Sequence, residues 1–543
     1  MRRKLLLRDC LLISLLVAVS TVPVLAATPA PAVLPQQTVD VAAVAATGAT
    51  INVKAGDDFQ MALERAQPGD VIVLEAGAEF RGPFVLPLKS GDKWIEIRSS
   101  KADQLPVDTR VTPAAAQFMP KLVASTESVL STQVGAHHYR FVGIEIKPTR
   151  DTFLYNLVEL GTGDDQLAQL PHHLIIDRCY LHGDAIKGTR RGIALNSAHT
   201  AVINSWLADF KEVGADSQAI AGWNGPGPFR IENNQLEGAG ENVMFGGATP
   251  AIKGLVPADI EIRGNHFFKP LSWKADDASY EGKPWTVKNL FELKNARRVL
   301  IEGNVFEHNW PAAQNGFSIL FTVRNEGGMV PWAAIEDVTF RSNLLRGIAA
   351  GINVLGHDDN KYPSEQTSRL DISNNLFADM GGRWGNGPLL QLLDGVTDLK
   401  IENNTALNGY SIVMTEGRPH TNVSFTHNIV VHNEYGIIGS GTSPGNPTLE
   451  QYFPSIKLDA NVIFGGSAQR YPDGNSFLAA NVVAKFIGND SNELQLTDAH
   501  KLRSGKGSDY GVDFAKLCAA LSPVEHSRYC HMSQALARAT AQR

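Results

Sequence analysis

The clearest order in this chain is the spacing of its apolar and polar positions. One short phrase returns along most of the sequence: Ile231-Glu232-Asn233-Asn234-Gln235-Leu236, then Ile262 to Phe267, Ile301 to Phe306 and Ile372 to Phe377, with looser copies starting at Phe340, Ile401, Phe425 and Leu458. Its fourth position is always asparagine (Asn234, Asn265, Asn304, Asn343, Asn375, Asn404, Asn428, Asn461), at intervals of 31, 39, 39, 32, 29, 24 and 33 residues. Upstream, Ile176 to Leu181 and Val202 to Leu207 keep the phrase but put Cys179 and Ser205 in the asparagine slot. A period near 30 that lengthens by insertion suits a coil of short strands stacked on copies of itself. Asparagine has a physical reason to recur there: it tolerates the left-handed backbone of a tight bend, and its amide can bond to the asparagines above and below. The asparagines are therefore expected to be structural.

Segments such as Val299-Leu300-Ile301 and Val338-Thr339-Phe340 are short, β-branched and bounded by Gly and Asn, which predicts strands rather than helices. A further strand is predicted in each coil, at 157–160, 192–196, 242–245, 290–294, 317–324, 352–355 and 389–393. Alternation puts Phe291 and Leu293 inward and Glu292 and Lys294 outward; one coil on, it turns Ser318, Thr322 and Arg324 outward. The same parity exposes Glu159, Asn242, Asn353 and Gln391. One helix is signalled, with Asp57 or Asp58 as N-cap, Phe59, Ala62, Leu63 and Ala66 on one face, and Pro68-Gly69 as the stop. It is expected to cover the first coil.

The opening from Ile51-Asn52-Val53 to Val71-Ile72-Val73-Leu74, followed by the asparagine-bearing coils, resembles the secreted right-handed β-helix proteins of the pectate-lyase-like superfamily over residues 50–490. The resemblance implies an all-β chain: a right-handed parallel β-helix with an N-terminal capping helix. It does not fix an activity, because that superfamily holds lyases, hydrolases, epimerases and adhesins.

The ends change the picture. Arg2, Arg3, Lys4 and Arg8 precede an apolar run from Leu11 to Val19 and the exit Val24-Leu25-Ala26, so residues 1–26 read as a signal peptide and the protein is expected to be secreted or periplasmic. No stretch is long and apolar enough to predict membrane insertion. Residues 27–50 are rich in Ala, Pro, Val and Thr and read as a flexible leader; 51–490 form the β-helix domain and 491–543 a C-terminal cap and tail. Formal net charge is −7, and removing the signal's four bases and Asp9 takes it to −10. That excludes nucleic acid as a natural partner. The expected partner is an extracellular polysaccharide, handled by a monomer. Of the remaining cysteines, Cys518 and Cys530 suit a disulfide and Cys179 a buried thiol.

Candidate chemistry gathers on the outward face of the 242–324 strands. β-Elimination of a uronate needs its carboxylate neutralised, its C5 proton removed and its leaving oxygen protonated. The resemblance implies a Lys or Arg base, with Ca²⁺ as the cofactor on the carboxylate. In chondroitinase-B-like and alginate-lyase relatives a strand lysine is followed one coil later by an arginine; Glu292-Leu293-Lys294-Asn295 and Thr322-Val323-Arg324-Asn325 resemble that order. Lys294 is thus the candidate base and Arg324 its tuning or carboxylate partner, with Lys288 a competing base. Glu241, Asn242 and Glu292 are candidate metal or substrate ligands, and Asn353, Trp273 and Trp310 further substrate contacts; no metal ligand set is defined. Hydrolysis would instead use two carboxyls, from Glu241, Glu292, Asp259, Asp164-Asp165 or Asp358-Asp359. A non-catalytic glycan-binding solenoid is the third reading. His137-His138 and His172-His173 lack metal-motif spacing and are given no role.

Overall fold

The computed structural model of the chain describes residues 28–43, 45–107, 109–358, 361–407, 409–481 and 510–530. The segment expected to be a signal peptide, Asp359 and the final residues 531–543 lie outside the described residues. Among the described residues, the strands form three all-parallel sheets of 14, 12 and 14 strands. Each coil visits them in the same order. The coil Gly227–Glu232, Gln235–Gly238, Glu241–Phe245 is followed by Ala258–Arg263, which lies directly on its first strand. We call the sheets A, B and C in that order. The result is a parallel β-helix, as the spacing of the phrases predicts.

The interior is a set of apolar columns in register. In sheet C, Val243, Phe291, Ile319, Ile352, Leu390, Val413 and Ile437 stack one per coil, and all are buried. Burial of each large side chain stabilises the stack by about 1.5–3 kcal/mol, and the column leaves the alternate side chains facing out. The helix Phe59–Arg65 is capped by Asp58, whose side chain accepts from the Met61 N–H. Asp57 instead accepts from the Lys54 N–H. Phe59, Ala62 and Leu63 are buried in the same core as the first strands, with Phe59 against Phe80 and Phe84.

The asparagine ladder runs through the A-to-B turn. Each Oδ1 accepts both the backbone N–H and the Nδ2 of the asparagine one coil earlier, at 2.9–3.1 Å from Asn234 to Asn461. Ser205 and Cys179 continue it upstream, and Asn475 extends it downstream. One expectation is corrected. The left-handed residue is not the ladder asparagine but the one before it: Asn233, Gly264, Gly303, Ser342, Asn374 and Asn403 have φ between 52 and 66°. The bend is made at the third position, which leaves the fourth free to hydrogen-bond.

Residues 28–43, expected to be a flexible leader, are instead docked along sheet A. One register position near the start of successive sheet A strands has a left-handed φ and forms a column: His138, His173, His199, then Asp259, Arg298, Asp337, Arg369 and Asp398. The leader's N–H groups at Ala30, Val33 and Gln36 donate to Asp398, Asp337 and Asp259. Three residues of extended, proline-bearing chain cover about 9.3 Å, and two coils rise about 9.6 Å, so every third residue meets every second coil. Pro29, Ala32 and Pro35 are half-buried on the same three-residue period. Further along, Val39 packs on the outward Ile175, Ala201 and Ile203, and Arg140 holds the carbonyls of Val41 and Ala42.

The C-terminal segment is corrected likewise. Residues 510–530 lie on the flank, not on the end of the stack. Leu517, Cys518, Leu521 and Cys530 pack against Val305, Leu344 and Leu376 on the outside of sheet B. Cys518 and Cys530 form a disulfide, Cys179 is free and buried, and a buried ion pair of Arg110 with Glu525 ties the segment to the N-terminal coils.

Candidate functional site

The outer face of sheet C carries the cluster anticipated between residues 241 and 324, but loops cover it more deeply than parity alone suggests. Glu292 faces out in the row Met244, Glu292, Leu320, Asn353, Gln391, yet it is only 3% exposed. Its carboxylate accepts from Asn289 Nδ2 and Thr322 Oγ1, both at 3.2 Å, and lies 3.9 Å from Lys294 Nζ. Glu241 is fully buried. Its Oε2 accepts from Gln218 Nε2 at 2.7 Å, while its Oε1 has no hydrogen bond and lies 3.8 Å from Lys288 Nζ. Burial, and then the charges of Glu292 and Asp216, push the Glu241 carboxyl up to about 7.

The lysines divide by partner. Lys288 pairs with Asp216 as well as approaching Glu241. Burial works against its charge, but these carboxylates outweigh it and hold the ammonium above its ordinary range. That makes Lys288 a poor base at neutral pH. Among the described residues, the ion-pair contact of Lys294 is the longer one to Glu292, and part of its side chain is in solvent. Arg324 is its neighbour one coil on, its backbone N–H donating to the Lys294 carbonyl at 3.0 Å. Both residues therefore lie just beyond the ends of successive strands of the same sheet, Phe291–Leu293 and Phe317–Thr322. The Arg324 guanidinium, however, pairs with Asp358 at 2.9 Å.

Several expected contacts are not made. Asn242 does not face solvent; it is buried in the B-to-C corner, where Nδ2 donates to the carbonyls of Leu236 and Phe268. Its Oδ1 accepts from Lys269, a lysine with no sequence signal, whose Nζ also donates to the carbonyls of Gly238, Ala239 and Gly240. Burial pushes Lys269 down to about 7, with Glu241 opposing. Trp273 and Trp310 are not free platforms; they are 4% and 5% exposed, in one cluster with Trp285 and Trp384. There Lys211 lies 5.5 and 4.9 Å from the rings of Trp273 and Trp285. Only the edges of that cluster reach a cavity of about 520 Å³, shared with Tyr280 and Arg383. Asn353 does face out, half-buried, with its Oδ1 unbonded.

A polar track missed by the sequence reading leads into the cluster. Arg191, Gln218 and Glu241 are in register at the start of sheet C, and Arg191 Nε donates to Gln218 Oε1 at 3.0 Å. The guanidinium is flanked by Tyr155 and Trp223, 5.1 and 5.2 Å away. These residues open their strands, beside the turn from sheet B, where alternation is a poor guide to direction. For a divalent cation, the fitting donors are Glu241, Glu292 and Asn289. All three are oxygen ligands suited to Ca²⁺, and Glu241 Oε1 and Asn289 Oδ1 are buried without partners.

The fold defines the class: a parallel β-helix. Among solved structures, the chain is similar to the PL6 family alginate lyase AlyGC, with TM-score 0.53 at 15% identity over 88% of this chain and 58% of that one. It matches an arginine-to-alanine variant of AlyGC with TM-score 0.51, the same identity and the same coverage. A mannuronic-acid-specific family 6 lyase from human gut microbiota aligns with TM-score 0.42 at 11% identity, over 80% of this chain and 92% of that one. The chain thus spans 58% of the length of the AlyGC chains, and the likeness is one of fold. No family model and no curated protein matches the sequence.

Proposed function

We propose that this protein is a secreted or periplasmic polysaccharide lyase that cleaves a uronate-containing chain by β-elimination on the outer face of sheet C. The carrying observation is the placement of Lys294 and Arg324 on successive coils of one sheet, joined by a backbone hydrogen bond, with Glu292 3.9 Å from the lysine. Lys294 takes the C5 proton. The electron pair of that bond forms the C4–C5 double bond, the C4–O bond breaks, and the leaving oxygen collects a proton from a cationic side chain or water. A calcium ion held by Glu241, Glu292 and Asn289 would neutralise the uronate carboxylate and so acidify C5. Arg191, between Tyr155 and Trp223, offers the approaching polyanion a guanidinium beside aromatic faces. The shared fold with an alginate lyase supports the class, and the disulfide suits an oxidising compartment.

One observation favours a second reading. Glu241 is held near neutrality beside Glu292, the kind of unequal carboxyl pair that glycoside hydrolysis uses. Incubation with pectate, alginate and glycosaminoglycans, with and without Ca²⁺, separates the readings. Unsaturated ends that absorb in the ultraviolet support the lyase. Reducing ends without that absorbance replace it with a hydrolase, and binding without cleavage replaces both with a glycan-binding module.

A further inference from the structure

The histidine pairs that match no metal motif in sequence meet on the entry edge of sheet A. His137 and His172 are in register in the strands His137–Val142 and His172–Asp177. The residues after them, His138 and His173, together with His199, occupy the left-handed column that later coils fill with alternating aspartate and arginine. The rings stack coil on coil, His137 on His172 at 4.8 Å, His138 on His173 at 4.5 Å and His173 on His199 at 4.6 Å.

Within each coil the paired rings stand nearly perpendicular, at 86° and 79°. They aim their Nδ1 atoms at each other, 2.8 Å apart in His137–His138 and 2.7 Å in His172–His173. Two neutral imidazoles hold such a contact by sharing one proton between two lone pairs. A cation in place of that proton would receive both. At a metal–nitrogen distance of about 2.0–2.1 Å, nitrogens this close subtend about 85° at the metal. That is near the right angle of tetragonal Cu²⁺ or Ni²⁺ and well short of the tetrahedral angle. For the His172–His173 pair the third donor comes from the preceding coil: ligand nitrogens of His138, His172 and His173 all lie within 4.8 Å of one another.

The surroundings admit an ion. Trp94 closes one side, 5.2 Å from His138 and 6.4 Å from His173. His172, His173 and His199 open on the other side to a groove of about 650 Å³.

We propose that His138, His172 and His173 form a binding site for one imidazole-seeking divalent cation, Cu²⁺ or Ni²⁺, with His137 and His199 stacked in support. The ion would join two successive coils on sheet A, the sheet that carries the docked leader, and would be separate from the oxygen donors of sheet C. The test uses the full secreted chain, stripped with a chelator and titrated with CuCl2, NiCl2 or CaCl2 by calorimetry, with electron paramagnetic resonance of the Cu²⁺ form. One equivalent of Cu²⁺, a nitrogen-rich spectrum, a raised Tm and no displacement by Ca²⁺ are expected. His138→Gln, His172→Gln and His173→Gln should each weaken Cu²⁺ binding by at least about tenfold, while the exposed His526→Gln should not. Each variant is first checked by circular dichroism. Should one fail to fold, protection of the five rings from diethyl pyrocarbonate by Cu²⁺ in the unaltered chain gives the second readout. Equal affinity in folded His138→Gln and His173→Gln, or no protection of these rings, overturns the proposal.

Discussion

The ammonium of Lys288 lies 3.8 Å from Glu241 Oε1, an oxygen with no hydrogen bond, while the same lysine is paired with Asp216. The charge of Glu241 is therefore compensated only at a distance, and its carboxyl is held up at about 7. In the unfolded chain a glutamate titrates near its ordinary 4.5. Between pH 4.5 and about 7 the folded state then binds the extra proton. The stability that Glu241 contributes is fully present below 4.5 and is lost as pH rises through 7. Glu241→Gln should flatten the fall of Tm across that window and leave the variant more stable than the parent at pH 8. Thermal melts at half-unit pH steps check this; parallel curves for the two proteins refute it.

Lys294 and Lys288 are separable by substitution. If Lys294 is the base, Lys294→Ala should lower kcat by roughly 10²–10⁴ with little change in KM. Lys288→Ala removes the compensation of Glu241 and Asp216, and should lower Tm as well as activity. Steady-state kinetics on whichever uronate polymer is cleaved, beside melts of both variants, distinguish them. Retention of kcat in Lys294→Ala would falsify its role.

The ladder predicts a gradient of cost. Asn304 accepts the backbone and side-chain N–H groups of Asn265, and donates to Asn343 and to the Ile262 carbonyl, all buried. Asn304→Ala leaves at least two buried backbone groups unpaired, at about 1–3 kcal/mol each. Asn475 ends the ladder half-exposed, bonded to the Leu458 carbonyl. Water can replace it, so Asn475→Ala should cost under about 1.5 kcal/mol. Denaturant melts of the two variants should rank in that order.

The leader's three-residue register is open to a direct test. One residue inserted between Val33 and Gln36 shifts Ala30 and Val33 off their aspartates, because about 3 Å is neither zero nor two coils. Proteolysis should then begin within residues 28–34 while circular dichroism stays unchanged. Wild-type resistance in the insertion variant would show that the aspartates do not set the register.

The C-terminal segment, residues 510–530, should depend on its crosslink. Cys518 and Cys530 are 12 residues apart and close a loop worth about 3 kcal/mol. Cys518→Ser should release residues 510–530 from sheet B, read as new dye-accessible apolar surface around Val305, Leu344 and Leu376.

The coil order, the ladder and the disulfide are legible from residues alone because each is a strong local signal repeated or paired: Ile-x-x-Asn-x-Phe can hardly be anything else. Parity also places Glu292, Lys294 and Asn353 correctly on the outer face. It fails for Asn242 and for the Arg191–Gln218–Glu241 track because these are the first or second residues of their strands, where the preceding turn and not the alternation decides what a side chain meets. Burial of Trp273 and Trp310 depends on which loops meet across coils, and no spacing encodes that. The flank docking has a signal of its own: Val305, Leu344 and Leu376 stand at an outward position, and three successive apolar side chains there require a cover.

The docked leader also bears on the order in which the molecule can assemble. Stacked coils contact only their neighbours, so a solenoid can in principle grow from any point. The bond from Ala30 to Asp398 spans 368 residues, and it cannot form until that coil exists. Chain that is synthesised first is therefore seated among the last, and a contact of such sequence separation slows completion without slowing the coils themselves.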